Sequence, residues 1–325
     1  MLDRMSAYSR KRVLITGAAG FVGARLTRRL VNLGAEVHIL TRKRSNRWRL
    51  EGLCDRVCDH STDLLDIEKL RLVVKEIRPE IIFHCAAHGG YPFQQDSEQI
   101  ILTNFRGTFN LLDSLKDVDF QCLVHTGSSS EYGHKSHPMS EDDVLEPLSA
   151  YGVSKAASTL LCRAVARAEK RPIVTLRLFS VYGYFEEPSR LIPHTIDTCL
   201  RGINPELTDG TPVRDFVFVE DVVDLCLLVG LRRPVYPEIF NVGSGIQRTV
   251  REVVDTIIAL MGSRVEARWG TLSRRPFEPT TWVAEVSKAK QVFGWSPRYD
   301  LDAGLGLTID WQRERLCVTH NQLGT

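Results

Sequence analysis

The segment "AYGVSK" sets Tyr151 four residues ahead of Lys155. On a helix that spacing stacks two side chains on one face, one turn apart. A phenol ordinarily titrates near pH 10, roughly three units above neutrality. An adjacent ammonium favours the phenolate and is expected to bring Tyr151 toward a working range. Such a phenol gives a proton to a carbonyl, or takes one from an alcohol, while hydride moves; the ammonium can also hold a ribose. Upstream, "HTGSSSEYG" (125 to 133) places three hydroxyls where an apolar run ends. A strand ending at the rim of a sheet aims one hydroxyl into the crevice, and Ser128 is the expected partner of Tyr151. Ser129 and Ser130 read as turn hydroxyls that bond local backbone.

A tyrosine and a lysine four apart are common by chance on exposed helices. Their weight here comes from a second motif, more than a hundred residues upstream. "GAAGFVG" spaces Gly17, Gly20 and Gly23 three apart, between the apolar "RVLITG" and the helically periodic "FVGARLTRRLVNLG". The turn needs backbone freedom, a pyrophosphate needs close approach, and a helix N-terminus attracts negative charge. This strand–turn–helix context predicts a dinucleotide site, with Phe21 and Val22 opening the helix beside it.

The second strand ends "VHILTRKRSN". Thr41 stands where an acid would accept hydrogen bonds from a ribose 2′-hydroxyl, and Arg42 and Lys43 follow. A guanidinium grips a 2′-phosphate at two points and a lysine adds a point charge. NADP(H) is therefore favoured, with NAD(H) open, because charge runs are commonly solvated loops. "STDLLD" follows the next candidate strand and sets Asp63 and Leu64 near the adenine. Ala86 and Ala87 close the buried strand "EIIFHCAA" on the cofactor side.

The elements that must position these groups alternate. Strands are predicted in "RVLITG", "AEVHILT", "EIIFHCAA", "FQCLVHTGS" and "PIVTLRLFSVYG", with helices between them. That alternation predicts an α/β fold: a Rossmann-type doubly wound parallel sheet with a smaller mixed α/β substrate lobe. The dinucleotide-binding domain is expected over 1–180, with 211–245 returning to it. Residues 181–210 and 246–325 would form the substrate lobe, and the site should lie between the two at the strand C-termini.

Composition narrows the class. The net charge of +2 gives no reason to expect nucleic acid as a partner. No apolar run reaches the length of a membrane span, and "MLDRMSAYSRKR" lacks the apolar middle of a signal peptide. Eight cysteines follow no zinc spacing, so no metal site is expected and a reducing, cytoplasmic setting is.

Read together, these motifs resemble the extended short-chain dehydrogenase/reductases of the nucleotide-sugar epimerase/dehydratase superfamily. "GAAGFVG", "IIFHCAA", "TNFRGTFNLL", "GSSSEYG", "AYGVSKAA", "RLFSVYG", "VRDFVFVEDVV", "FNVGSG" and "GWSPRYDLDAGL" match in order, over about residues 12 to 310. The resemblance implies a Ser128–Tyr151–Lys155 triad, a sugar nucleotide substrate and a homodimer built on two long helices near 104–116 and 151–169. It sets Arg214 and Arg275 on the substrate diphosphate and Glu278 on the nucleoside ribose. Ser180 replaces an asparagine that meets a substrate phosphate in many members. His88 and Tyr91, after the "HCAA" strand, would line the hexose site, as would Ser129.

Dehydratases of this superfamily carry Asp-Glu directly after the serine or threonine of the triad. Here that trio is Ser128-Ser129-Ser130, which supplies no elimination acid or base. Glu131, at an odd offset on an extended segment, would face away. The resemblance therefore implies an NADPH-dependent reductase of a nucleotide-activated 4-keto-6-deoxyhexose, with an NAD-dependent nucleotide-sugar 4-epimerase as the alternative. A non-catalytic, cofactor-binding regulator is the reading from another class, and the intact triad weighs against it.

Overall fold

The computed structural model describes residues 6–323 apart from Pro92, 235–237 and 274–278, and side chains as far as residue 316. Strands β1 (Arg12–Thr16), β2 (Glu36–Thr41), β3 (Cys58–Ser61), β4 (Ile81–His84), β5 (Cys122–Ser128), β6 (Ile173–Leu178) and β9 (Glu238–Val242) form one seven-stranded sheet. Its order is β3-β2-β1-β4-β5-β6-β9, and every pairing is parallel. This is the doubly wound fold that the alternation predicts.

Strand geometry explains the continuous apolar runs. Successive side chains leave a strand on opposite faces, and here both faces are covered. Val13, Ile15, Ile81, Phe83 and Val124 enter one core, against Leu26 and Leu30 of the helix Phe21–Asn32 and Val222 and Cys226 of the helix Val219–Gly230. Leu14, Ile82 and Leu123 enter the other, against Leu70 and Val74 of Ile67–Ile77 and Cys162 and Ala166 of Ala150–Ala168.

A second sheet joins β7 (Ser180–Tyr182), β8 (Val213–Phe218) and β10 (Gln247–Thr249) in the order β10-β8-β7. Residues expected to return to the dinucleotide-binding half divide between the sheets. Strand β8 belongs to the small sheet, the helix Val219–Gly230 covers the large one, and β9 edges it. Among the described residues no helix is long and apolar enough to cross a membrane.

Candidate active site

The strand order reverses between β1 and β4, and a crevice opens beyond their C-terminal ends. The glycine turn sits there. Gly17 has φ +70, and a Cβ on it would lie 2.5 Å from the Ala86 amide nitrogen. Only glycine lets β1 turn this close to the end of β4. Gly20 caps the helix Phe21–Asn32 without a side-chain hydrogen bond, so bare backbone amides face the crevice. A helix N-terminus stripped of side chains suits an anionic pyrophosphate, and these residues fit a dinucleotide.

Tyr151 and Lys155 lie in the first turns of the helix Ala150–Ala168, which Ser149 caps by accepting the Gly152 amide at 3.1 Å. A Cβ on Gly152 would stand 2.6 Å from the Ser130 carbonyl oxygen. That glycine lets the helix press against the serine turn and brings Ser128 within hydrogen-bonding reach of the Tyr151 phenol. Lys155 is buried and donates from Nζ to the Thr126 carbonyl.

The serine turn differs from expectation in two respects. Residues Ser129–Glu131 form a 3₁₀ turn, not an extended segment, and Ser128 is its N-cap, accepting the Ser130 amide at 3.1 Å. Local capping thus falls to Ser128, while Ser129 Oγ accepts a hydrogen bond from Trp282 Nε1 at 3.2 Å. Glu131 does point away from the cavity, but because the turn drives it into the core. There it accepts the Ser128 amide at 2.8 Å and Thr159 Oγ1 at 3.0 Å, and pairs with Arg177.

The electrostatics also correct an expectation. Burial raises the Tyr151 phenol, Ser128 partly offsets this by hydrogen bonding, and Glu131 adds to the rise. Burial lowers the Lys155 ammonium, against the pull of Glu131. Desolvation is the largest cause on both groups, and the influences that oppose it on the phenol are Ser128 and Arg190, not the lysine that the four-residue spacing suggests. Beneath Lys155, burial pushes His84 down to about 3, which keeps its ring neutral between Thr16 Oγ1 at 2.7 Å and Thr108 Oγ1 at 2.8 Å.

One cavity of about 1250 Å³ receives Gly17, Gly20, Phe21, Val22, Gly23, Ala87, Tyr91, Ser128, Ser129, Tyr151, Lys155, Ser180 and Arg214. Other expected residues lie outside its lining. Arg42, Lys43 and Asp63 are exposed, and the Asp63 carboxylate accepts the Leu65 amide at 3.0 Å. Leu64 is buried in the second core. The Ala86 amide meets Thr16 Oγ1 at 3.2 Å, and Asn104 holds both backbone groups of His88. Thr41, in place of the acid, bonds Asp59 at 2.7 Å and accepts Arg47 at 2.7 Å. Arg275 and Glu278 lie outside the described residues.

Among the cavity residues that the sequence reading did not single out are Glu186, Arg190 and Trp282. "FEEPSR" looks like an ordinary polar loop, and nothing local marks which of its acids is buried. Trp282 follows a segment without helical or strand periodicity.

The sequence profile of the NAD dependent epimerase/dehydratase family matches residues 13–243. The chain belongs to that family, within the extended short-chain dehydrogenase/reductases. It is 27% identical to a UDP-glucuronate 4-epimerase of Thermodesulfobacterium geofontis, over 93% of this chain and 96% of that one. The solved epimerase Mth375 of Methanothermobacter thermautotrophicus superposes with a TM-score of 0.88 at 30% identity, covering 98% and 97% of the two chains. MoeE5, solved with UDP-glucose and NAD, gives 0.82 at 33% identity over 94% and 99%.

Proposed function

We propose that this family member exchanges hydride and a proton at C4 of a nucleotide-linked hexose, without elimination. The observation that carries the reading is the cavity itself: Ser128, Tyr151 and Lys155 share it with the glycine turn, while the positions after Ser128 hold serines. When bound, the nicotinamide dinucleotide supplies hydride exchange. Ser128 hydrogen-bonds and orients the C4 oxygen. Tyr151 gives that oxygen a proton during reduction or takes one during oxidation, and Lys155 steadies the ribose. Arg214, beside the Trp282 ring, binds the diphosphate, and Ser180 and Tyr91 border the sugar. The proposed dinucleotide contacts include Arg42, Lys43, Asp63 and Leu64 at the adenosine end.

The finer reading is an NADPH-dependent reductase of a 4-keto-6-deoxyhexose. A phenol raised by burial stays protonated near neutrality, which suits a donor to a carbonyl. The exposed Arg42–Lys43 pair and the missing acid at Thr41 support NADPH. The second reading is a 4-epimerase that retains NAD, and the likeness to epimerases and to a protein solved with NAD supports it. Release of cofactor from purified protein, with parallel titration by NADPH and NADH, separates them. Empty protein that prefers NADPH and consumes it only with a 4-keto-6-deoxy sugar nucleotide is the expected result. Stoichiometric retained NAD supports the epimerase instead.

A homodimer in the cytoplasm completes the reading. Helical segments 97–114 and 150–168 lie side by side and leave Phe105, Phe109, Val153 and Leu160 exposed. Apolar stripes on adjacent helices suit a four-helix interface with a second copy.

A further inference from the structure

Glu186 sits in the connection between β7 and the helix Leu191–Leu200, and lines the cavity beside Arg190 and Tyr91. The residue is 8% exposed, and its Oε2 has no hydrogen-bond partner among the described residues. Oε1 faces Arg190 Nε at 3.6 Å. Leaving a buried carboxyl oxygen unpaired costs free energy, so its position asks for a ligand.

The backbone gives an independent argument. Phe185, immediately before Glu186, has φ 68, in the left-handed region that a bulky side chain avoids. Such strain persists only where the surroundings over-determine it, and it gathers at functional sites. The surroundings here are firm. Arg49, 6% exposed, donates from Nε to the Phe185 carbonyl at 2.7 Å and from Nη2 to Glu187 Oε2 at 3.0 Å. The Phe185 ring packs on Trp311 with centroids 5.0 Å apart, and the Arg28 guanidinium lies 4.6 Å from it. Both neighbours of Glu186 are thereby clamped to the body of the protein, and Glu186 is left facing the cavity.

We propose that Glu186 is a specificity-determining residue: its carboxyl group hydrogen-bonds a hydroxyl of a neutral hexose and disfavours a hexose that carries a carboxylate. This rests on the nucleotide-sugar reading above. A hydroxyl both donates and accepts, so it satisfies Oε2 whether the carboxyl is ionised or not. Arg190 already faces Glu186, so its charge is compensated. A uronate entering here would set a second carboxylate against the first in a low-dielectric wall. Burial lifts Glu186 to about 7, so an appreciable fraction is anionic at neutral pH.

Calorimetric titration of the full chain tests this, using wild type, Glu186→Gln and Glu186→Leu. The ligands are UDP-, dTDP-, CDP- and GDP-linked hexoses, the glucuronate of the preferred nucleotide, and that nucleoside diphosphate alone. Wild type should bind the neutral hexose about tenfold or more tightly than the uronate, the scale of one charge-assisted contact. Glu186→Gln should narrow that ratio, chiefly by admitting the uronate. Glu186→Leu should weaken the neutral hexose about tenfold. The nucleoside diphosphate alone should bind all three proteins equally, which reports an intact fold. Unchanged discrimination in both variants overturns the role of Glu186 and leaves the nucleotide-sugar reading standing. Unchanged binding with lost turnover overturns it too, in favour of proton transfer. Failure of wild type to bind any nucleotide sugar overturns both readings.

Discussion

Glu131 Oε2 lies 2.8 Å from Arg177 Nε, and both side chains are closed off from solvent. The pair stands beneath the serine turn: Glu131 also holds the Ser128 amide, and Arg177 Nη1 reaches the Tyr132 hydroxyl at 2.9 Å. An acid three residues from a catalytic candidate is thus committed to structure. Glu131→Gln would leave the Arg177 charge buried and uncompensated. It should lower unfolding stability by about 3–5 kcal/mol in urea denaturation. A loss below 1 kcal/mol would mean that the network is dispensable.

Tyr151→Phe removes the phenol and keeps the ring. Turnover should fall by about 10²–10⁴, the usual worth of a positioned proton donor. Dinucleotide affinity, measured by fluorescence titration, should stay within a few-fold of wild type. Normal steady-state rates in this variant would remove Tyr151 from the chemistry.

Gly17→Ala tests the cradle. The added Cβ would stand 2.5 Å from the Ala86 amide, on a backbone with φ +70. Dinucleotide binding should be lost, and thermal unfolding should reveal a destabilisation of about 1–3 kcal/mol. Wild-type affinity in a well-folded Gly17→Ala protein would contradict the close approach of β1 to β4.

Glu186 should leave a pH signature in stability. Its carboxyl rises from the ordinary 4.5 to about 7, with burial the largest cause and Arg190 and Arg49 opposing it. The Gly183 amide opposes the rise as well, and Tyr91, Tyr182 and Glu187 are among the titratable groups around this wall. The folded state therefore holds this proton more tightly than the unfolded chain does. The resulting stabilisation is complete below about pH 4.5 and is lost as pH climbs through about 7. Glu186→Gln should match wild type near pH 4.5 and exceed its stability by about 2–3 kcal/mol at pH 8. An equal difference at both pH values, in urea unfolding, would assign the carboxyl an ordinary titration.

The exposed apolar stripes predict self-association. Wild type should sediment as a dimer, and Phe109→Glu with Leu160→Glu should sediment as a monomer. Those two side chains are 40% and 51% exposed in the single chain, so a lone chain tolerates the charges, whereas an interface does not. A double variant that remains dimeric would move the interface elsewhere.

Much of this architecture was legible in the amino-acid order. Apolar runs such as "RVLITG" and "EIIFHCAA", spaced by helical periodicity, sufficed for the doubly wound sheet, because a strand covered on both faces must be apolar throughout. Glycine spacing and the Tyr151–Lys155 interval marked the two ends of the cavity for a similar reason. Backbone freedom and one-turn stacking are local properties, written within a few neighbouring residues.

What only the folded chain decided is how distant segments answer one another. The upward shift of the Tyr151 phenol follows from burial, with Ser128 and Arg190 rather than the lysine one turn away as the opposing influences. The direction of Glu131 follows from Arg177, forty-six positions on. Glu186 gained its buried oxygen because Arg49, Trp311 and Arg28 clamp Phe185 in a strained conformation. Desolvation and strain depend on everything packed around a group, and that information is spread over the entire chain rather than over any motif.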